Sequence, residues 1–241
     1  MQYTAIVLAA GKGSRMKSDV HKQYMSLQGK PVLYYSLKTF QDSYVDRIIL
    51  VTGESECSYC REEIVDRYGF SKVTDVIPGG KERYHSVYEG ICAAKACDYV
   101  LIHDGARPLI TNEILERARK ELRTSPAVIA AVQSKDTVKI VDEDGYVCNT
   151  PDRNRVWSVQ TPQCFSYELI REAYERLIDS ERRVGAQGIH ITDDAMVVET
   201  QTGIPVKVFD GDYRNLKITT PEDMISAEEY LAQMQKTGME M

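Results

Sequence analysis

The stretch Ala5-Ile-Val-Leu-Ala-Ala-Gly-Lys-Gly-Ser-Arg-Met16, continued by Lys17 and Lys22, decides the fold. Its apolar start, Ala5 to Leu8, predicts a buried strand. The glycines that follow let the backbone turn sharply and bring its N–H groups close to an anion. Lys12, Arg15, Lys17 and Lys22 crowd the same loop with positive charge. This is the construction of a phosphate cradle; the competing reading is a surface turn with solvated lysines, because a lone Gly-x-Gly is common by chance. Spacing removes two familiar phosphate loops. A P-loop needs four residues between its glycines and then Gly-Lys-Ser/Thr. A dinucleotide fingerprint needs a third small residue where Met16 stands and an acid after the next strand, where Val51-Thr52-Gly53 is found, so an NAD-linked oxidoreductase fails too.

Working outward, 241 residues with 43% hydrophobic and 27% charged side chains suit a single α/β domain. A net charge of −6 argues against nucleic acid or an anionic membrane as partner, so any anion site must be a local concentration of basic groups. No apolar run approaches the ~20 residues of a spanning helix and the start reads as a buried strand, so a cytoplasmic protein is expected. The six cysteines are scattered, which suits reduced thiols. Cys57-x-x-Cys60 has metal-like spacing but no second pair or histidine at zinc-site distance, and reads as structural.

Helices are expected over 31–40, 54–68, 81–96, 111–122 and 166–180, from 192 onward, and from Thr220-Pro221 to the end; strands are expected at 48–51, 73–77, 99–102, 128–132, 206–209 and near 215–219. Pro78-Gly79-Gly80 turns a strand into a helix whose first turn carries Arg83 and Ser86, which offers backbone donors and a hydroxyl to an anion or a base edge, or is an ordinary turn. Asp104 and Arg107 follow the strand 99–102, in the place where open α/β sheets bind ligands. They could form an ion pair that stiffens the turn. Functionally, Asp104 would serve a substrate hydroxyl or a Mg²⁺ ion and Arg107 a phosphate. Residues 137–149 read as a β-hairpin around Asp144-Gly145, Gln160-Thr-Pro-Gln163 as a rigid Pro-containing loop, and Trp157 beside it as core or interface packing. The pair Asp193-Asp194 fits helix N-terminal charges or a metal site. His21 is a further phosphate donor or incidental.

Five motifs, in order, resemble the 2-C-methyl-D-erythritol 4-phosphate cytidylyltransferase family: the first loop with Lys22-Gln23-Tyr24; Gly79-Gly80-x-x-Arg83-x-x-Ser86; His103-Asp-Gly-Ala-Arg-Pro108; Asp136-Thr-Val138 with Asp152-Arg-Asn154; and Gln160-Thr-Pro-Gln163. Val20-His21 stands where members usually have proline, Lys81 where some have an acid, and Gly105 where they have alanine. The resemblance implies a Rossmann-like, mostly parallel α/β sheet flanked by helices. It implies one nucleotidyltransferase domain over 1–241, with a β-arm at about 136–158 that embraces a second subunit. It also implies cytidylyl transfer from CTP to a sugar-alcohol phosphate, with Mg²⁺ or another divalent cation held mainly by the CTP phosphates.

On this reading Ala9, Ala10, Gly11, Lys12 and Gly13 cradle the triphosphate, while Gly80 and Ser86 take the base and ribose. Arg15 and Lys22 stabilise the transition state, and Asp104, Arg107, Thr137, Arg153 and Lys217 hold the acceptor, Thr137 and Arg153 from the neighbouring subunit. A ribitol-5-phosphate cytidylyltransferase is the sister alternative; its members tend to read Ala-Gly-Gly where Ala9-Ala10-Gly11 stands. A non-catalytic nucleotide-binding protein would be expected to have lost some of Arg15, Lys22, Asp104, Arg153 or Lys217, and all are present.

Overall fold

The computed structural model describes residues 1–11, 21–95, 97–184 and 191–237. The chain opens with strand β1 (Tyr3–Ala9), followed beyond position 20 by a single 3-10 turn, Lys22–Tyr24, and a short β2 (Ser26–Leu27) and β3 (Lys30–Pro31) ribbon. Pro31 then sits at the N-cap of helix α1 (Val32–Asp42), whose Leu33, Leu37 and Phe40 are fully buried. Strand β4 (Arg47–Thr52) leads to a 3-10 turn, a short helix α2 (Cys57–Tyr59) and a π-helical stretch, Cys60–Asp66, in place of the continuous helix expected over 54–68. The wider π turn puts Cys60, Ile64 and Val65 together in the core. Both thiols are free: the Cys60 Sγ meets the Tyr24 hydroxyl at 3.1 Å and the Cys57 Sγ meets Thr52 Oγ1 at 3.3 Å, so the Cys-x-x-Cys pair is structural.

Next come β5 (Val73–Pro78), α3 (Arg83–Ala93), β6 (Tyr99–Asp104), α4 (Asn112–Glu121) and β7 (Ala127–Gln133). The expected hairpin is present but shorter, as β8 (Ile140–Val141) and β9 (Val147–Asn149). Then follow a 3-10 turn Arg153–Arg155, β10 (Trp157–Ser166), α5 (Tyr167–Val184), α6 (Asp194–Thr202), β11 (Lys207–Asp210) and α7 (Pro221–Thr237).

Three expectations are revised here. Gln160-Thr-Pro-Gln163 lies within strand β10, not a loop; Pro162 brings no N–H to a ladder that is interrupted between Val159 and Gln163. Trp157, expected in the core or at an interface, is exposed at the start of that strand, so of the two readings the core one is removed. Lys217 is on an irregular segment rather than a strand: its neighbour Ile218 donates its N–H to Ala106 O, and Asn215 receives the guanidinium of Arg107.

The main sheet runs in the order β11-β7-β10-β6-β1-β4-β5. All neighbours are parallel except β10, which is antiparallel to both β6 and β7. Alternating side chains divide the core between the two faces: Ala5 and Val7 pack with α1, α4 and α7, whereas Ile6 packs with α3, α5 and α6. β1 is paired with β4 on one side and β6 on the other, so the strand order reverses at its carboxyl end, where a crevice opens.

Candidate active site

Four segments meet at that crevice. Ala9, Ala10 and Gly11 leave β1; Gly79 and Gly80 leave β5; Asp104 ends β6; and Lys217 comes from the segment after β11. They enclose a cleft of about 450 Å³ lined by Ala9, Ala10, Gly11, Lys22, Gly80, Ser86, Asp104 and Lys217, all read from the sequence as site residues. Gln23, Glu82 and Arg83 line it as well. Lys12, Gly13 and Arg15 lie outside the described residues.

Close packing of the two lips requires small residues. A Cβ on Gly79 would fall 2.8 Å from Ala10 Cβ and 2.6 Å from Ser86 Oγ; one on Gly80 would fall 2.3 Å from His85 Cβ. Gly80 N–H donates to Ser86 Oγ at 3.1 Å, which fixes the turn into α3. Across the cleft, the buried Gln23 donates to Ala9 O at 2.6 Å and so ties the Lys22 turn to the end of β1. Lys22 is thereby held at the cleft wall, nearly buried. His21, outside the cleft lining, turns instead to Glu56, with Nδ1 2.5 Å from Oε1.

The floor is a carboxylate ringed by cations. Asp104 Oδ2 lies 2.9 Å from Lys217 Nζ and 3.6 Å from Arg107 Nε, and Oδ1 lies 3.5 Å from Arg83 Nε. Burial alone would push its pKa up, but the charges of Arg83, Lys217 and Arg107 hold it well below the usual carboxylate range. Arg83 is anchored in turn by two hydrogen bonds of 2.8 Å to the fully buried Asp194, which also accepts from the Tyr174 hydroxyl at 2.6 Å. Asp193 caps α6 by accepting from Met196 N–H. The acid pair therefore works as a helix cap and an arginine anchor, and among the described residues no three acids, histidines and cysteines converge as a metal site.

Arg107 is turned away from the cleft lining: its Nη1 donates to Asn215 O at 2.8 Å while its Nε faces Asp104, so the ion-pair reading of this motif is realised. Thr137 and Arg153 are both exposed and neither lines the cleft of its own chain. Arg153 donates to Lys135 O within the arm. The sequence reading missed the structural use of Asp194, Gln160 and Gln163; their burial was the clue, and polar residues in sequence carry no sign of burial.

A mostly parallel sheet whose strand-order reversal carries a glycine-lipped, cation-lined cleft places the chain among α/β proteins built to bind a phosphorylated ligand. Comparison with known proteins narrows that class. Residues 3–233 match the family model described as IspD, 2-C-methyl-D-erythritol 4-phosphate cytidylyltransferase, and the chain belongs to that family. It is 54% identical to the enzyme of that name from Lachnoclostridium phytofermentans, covering 96% of this chain and 97% of that one. It is 49% identical to the one from Lachnospira eligens, covering 92% and 95%. A solved 4-diphosphocytidyl-2C-methyl-D-erythritol synthase from Anaerococcus prevotii superposes with a TM-score of 0.82 at 36% identity, covering 96% of each chain. No described helix is long and apolar enough to cross a membrane.

Proposed function

We infer that this chain transfers a cytidylyl group from CTP to 2-C-methyl-D-erythritol 4-phosphate, releasing pyrophosphate, in isoprenoid precursor synthesis. The observation that carries the reading is the convergence of Lys22, Arg83 and Lys217 with backbone from Ala9 to Gly11 around one cleft, in a chain of this family. An oxygen of the acceptor phosphate attacks the α-phosphorus in line; the new P–O bond forms as the bond to the β-phosphate oxygen breaks, and pyrophosphate leaves with the electron pair. The attacking oxygen is already ionised, so no general base is needed. The difficulty is bringing two polyanions together, and cations answer it.

In this proposal the backbone of Ala9 to Gly11, continued by Lys12 and Gly13, cradles the triphosphate. Gly80 and Ser86 receive the cytosine and ribose. Lys22 and Arg15 stabilise charge at the α-phosphate. Lys217 and Asp104 take the acceptor, Lys217 at its phosphate and Asp104 at a hydroxyl, with Arg107 bracing Asp104 from behind. The donor set suits a divalent ion held by phosphate oxygens: Asp104, which could offer one oxygen, is already met by three cations. Asp104 would give such an ion at most one protein oxygen, and the chemistry supplied would be neutralisation of charge on the departing pyrophosphate.

The arm supports a homodimer. Ile140, Val141, Tyr146 and Val147 are exposed on a ribbon with no core of its own, and such ribbons are marginal alone in water. A second copy covering it would bring Thr137 and Arg153 to the partner's cleft. With net charge −6, nucleic acid and membrane are not partners in this reading, and the location is cytoplasmic.

The test is pyrophosphate release with CTP and Mg²⁺, offering methylerythritol phosphate and ribitol 5-phosphate in parallel and ATP, GTP and UTP as nucleotide controls. Turnover with CTP and the methylerythritol substrate alone is expected. Turnover with ribitol 5-phosphate alone would reassign the acceptor, and none with either would leave a nucleotide-binding protein.

A further inference from the structure

The proposed chemistry gives no task to Gln160-Thr161-Pro162-Gln163, although Gln160, Thr161 and Gln163 are all buried polar side chains, at 6%, 3% and 1% exposure. Burying an amide costs free energy unless each of its groups is partnered, and here every partner belongs to a segment that ends at the Asp104 centre. Gln160 Nε2 donates to Asp212 O at 2.9 Å, and its Oε1 accepts from Asp212 N–H at 3.4 Å and Asn215 Nδ2 at 3.3 Å. That grip fixes the segment carrying Lys217 and the carbonyl of Asn215, on which Arg107 rests. The backbone passes so closely that a Cβ on Gly211 would sit 2.4 Å from Gln160 Oε1.

Thr161 Oγ1 accepts from Asp104 N–H at 3.1 Å, and Thr161 O accepts from Asn215 Nδ2 at 2.8 Å. Gln163 Oε1 accepts from Ala195 N–H at 2.9 Å and its Nε2 donates to Asp193 Oδ2 at 3.0 Å, pinning the start of α6 that presents Asp194 to Arg83. These contacts exist because β10 runs antiparallel to β6, with Gln163 opposite Ile102, so that its earlier residues reach the carboxyl end of that strand.

We propose that Gln160, Thr161 and Gln163 are positioning residues that set Lys217, Asp104 and Arg83 respectively, so that one strand fixes the placement of the acceptor-binding pair Lys217 and Asp104 and of the arginine that braces the carboxylate. The proposal rests on the reading that Lys217 and Asp104 receive the acceptor phosphate and its hydroxyl. The test is steady-state kinetics with CTP and methylerythritol phosphate on Gln160→Met, Gln163→Met and Lys217→Ala, and on the double variant Gln160→Met with Lys217→Ala. Circular dichroism melting checks that each is folded, and Gln160→Glu, which keeps both acceptor contacts, stands in where Gln160→Met fails to fold. Each glutamine variant is expected to raise the acceptor KM about tenfold and leave that for CTP within about twofold.

In the double variant the two effects should combine to less than their product, because Gln160 acts through the lysine that has been removed; a merely structural role would multiply. An acceptor KM raised in Lys217→Ala and unchanged in both glutamine variants, or full multiplicativity, would overturn the positioning role alone. An acceptor KM unchanged in Lys217→Ala would overturn the reading beneath it.

Discussion

Lys217 Nζ lies 2.9 Å from Asp104 Oδ2, which makes the lysine assigned to the incoming phosphate the near partner of the carboxylate at the cleft floor. In the proposed function the pair serves both ends of an acceptor: a cation for its phosphate and, beside it, an anion for a hydroxyl. Lys217 is half-exposed, so its pair with Asp104 contributes little to stability after solvent screening. Its contribution should be to catalysis. Lys217→Ala is expected to lower turnover by ~10²–10³ while the melting temperature changes little, measured by pyrophosphate release and calorimetry. A near-normal rate would remove Lys217 from the site.

Asp104→Ala should behave differently. It leaves Arg83, Arg107 and Lys217 facing one another around an emptied position, and the Arg107 side chain is mostly buried. Removing one partner of a buried charge cluster is costly, so the variant should lose on the order of 2 kcal/mol of stability along with its activity. Asp104→Asn keeps the shape and separates the two effects. Urea unfolding of both variants measures the first loss, and equal stability to wild type in each would refute the account.

His103 yields a pH prediction. Its ring is fully buried between Thr161 Oγ1, 3.0 Å from Nδ1, and Arg107 O, 3.3 Å from Nε2. Burial pushes its pKa down to about 3. The unfolded chain therefore takes up a proton near pH 6.5 that the folded chain refuses, so stability is complete above about pH 6.5 and falls as pH drops toward 3. The slope from this group is about 1.4 kcal/mol per pH unit. Asp104 has the opposite charge but the same direction: its depressed pKa makes a contribution that is full above the unfolded carboxylate value and lost only in stronger acid. His103→Gln should thus narrow its stability deficit against wild type between pH 7 and pH 5 in urea titrations. Parallel curves would show that His103 is not buried neutral.

Much of this was legible from residue patterns because the relevant physics is local. An apolar run before glycines gives β1, and Pro31 before a 3.6-residue apolar repeat gives α1. The glycines of the second lip and the Asp104-to-Arg107 turn announce themselves in the same way. What escaped depends on contacts distant in sequence. Gln160-Thr-Pro-Gln163 reads as a loop because of its proline, yet Gln160, Thr161 and Gln163 are buried within β10 against partners some 30 to 60 positions away. Asp194 reads in sequence as a helix charge or a ligand, whereas Arg83, 111 positions earlier in the chain, takes both of its oxygens.

The glycine lips make a steric prediction. Gly79→Ala would drive a Cβ against Ala10 Cβ and Ser86 Oγ, two residues that the proposed function gives to the nucleotide. The Ala10 contact involves a Cβ fixed to the backbone and cannot rotate away, so the end of β1 must shift. Such displacements near reacting groups cost up to ~10² in rate, and here the CTP KM should rise about tenfold or more. Gly79→Ala should leave the acceptor KM nearly unchanged, the reverse of the glutamine variants. A CTP KM within twofold of wild type would mean the lips do not close on the nucleotide.

Thr137 and Arg153 decide whether the catalytic unit is one chain or two. Both are exposed and outside the cleft of their own chain, whereas Lys22 and Lys217 are in it. If a second copy supplies the arm, each active site contains Lys217 from one chain and Arg153 from the other. Arg153→Ala and Lys217→Ala are then each inactive alone, with both defects falling in every site of a homodimer. Unfolding and refolding them together in equal amounts forms heterodimers in which one site receives both defects and the other receives none. Random pairing makes half of the dimers mixed, so about a quarter of wild-type activity should return, from two-fold symmetry alone. No recovery, with mixed dimers demonstrated by differential tagging, would place Arg153 in the cleft of its own chain or outside catalysis, and the arm would lose its assigned part.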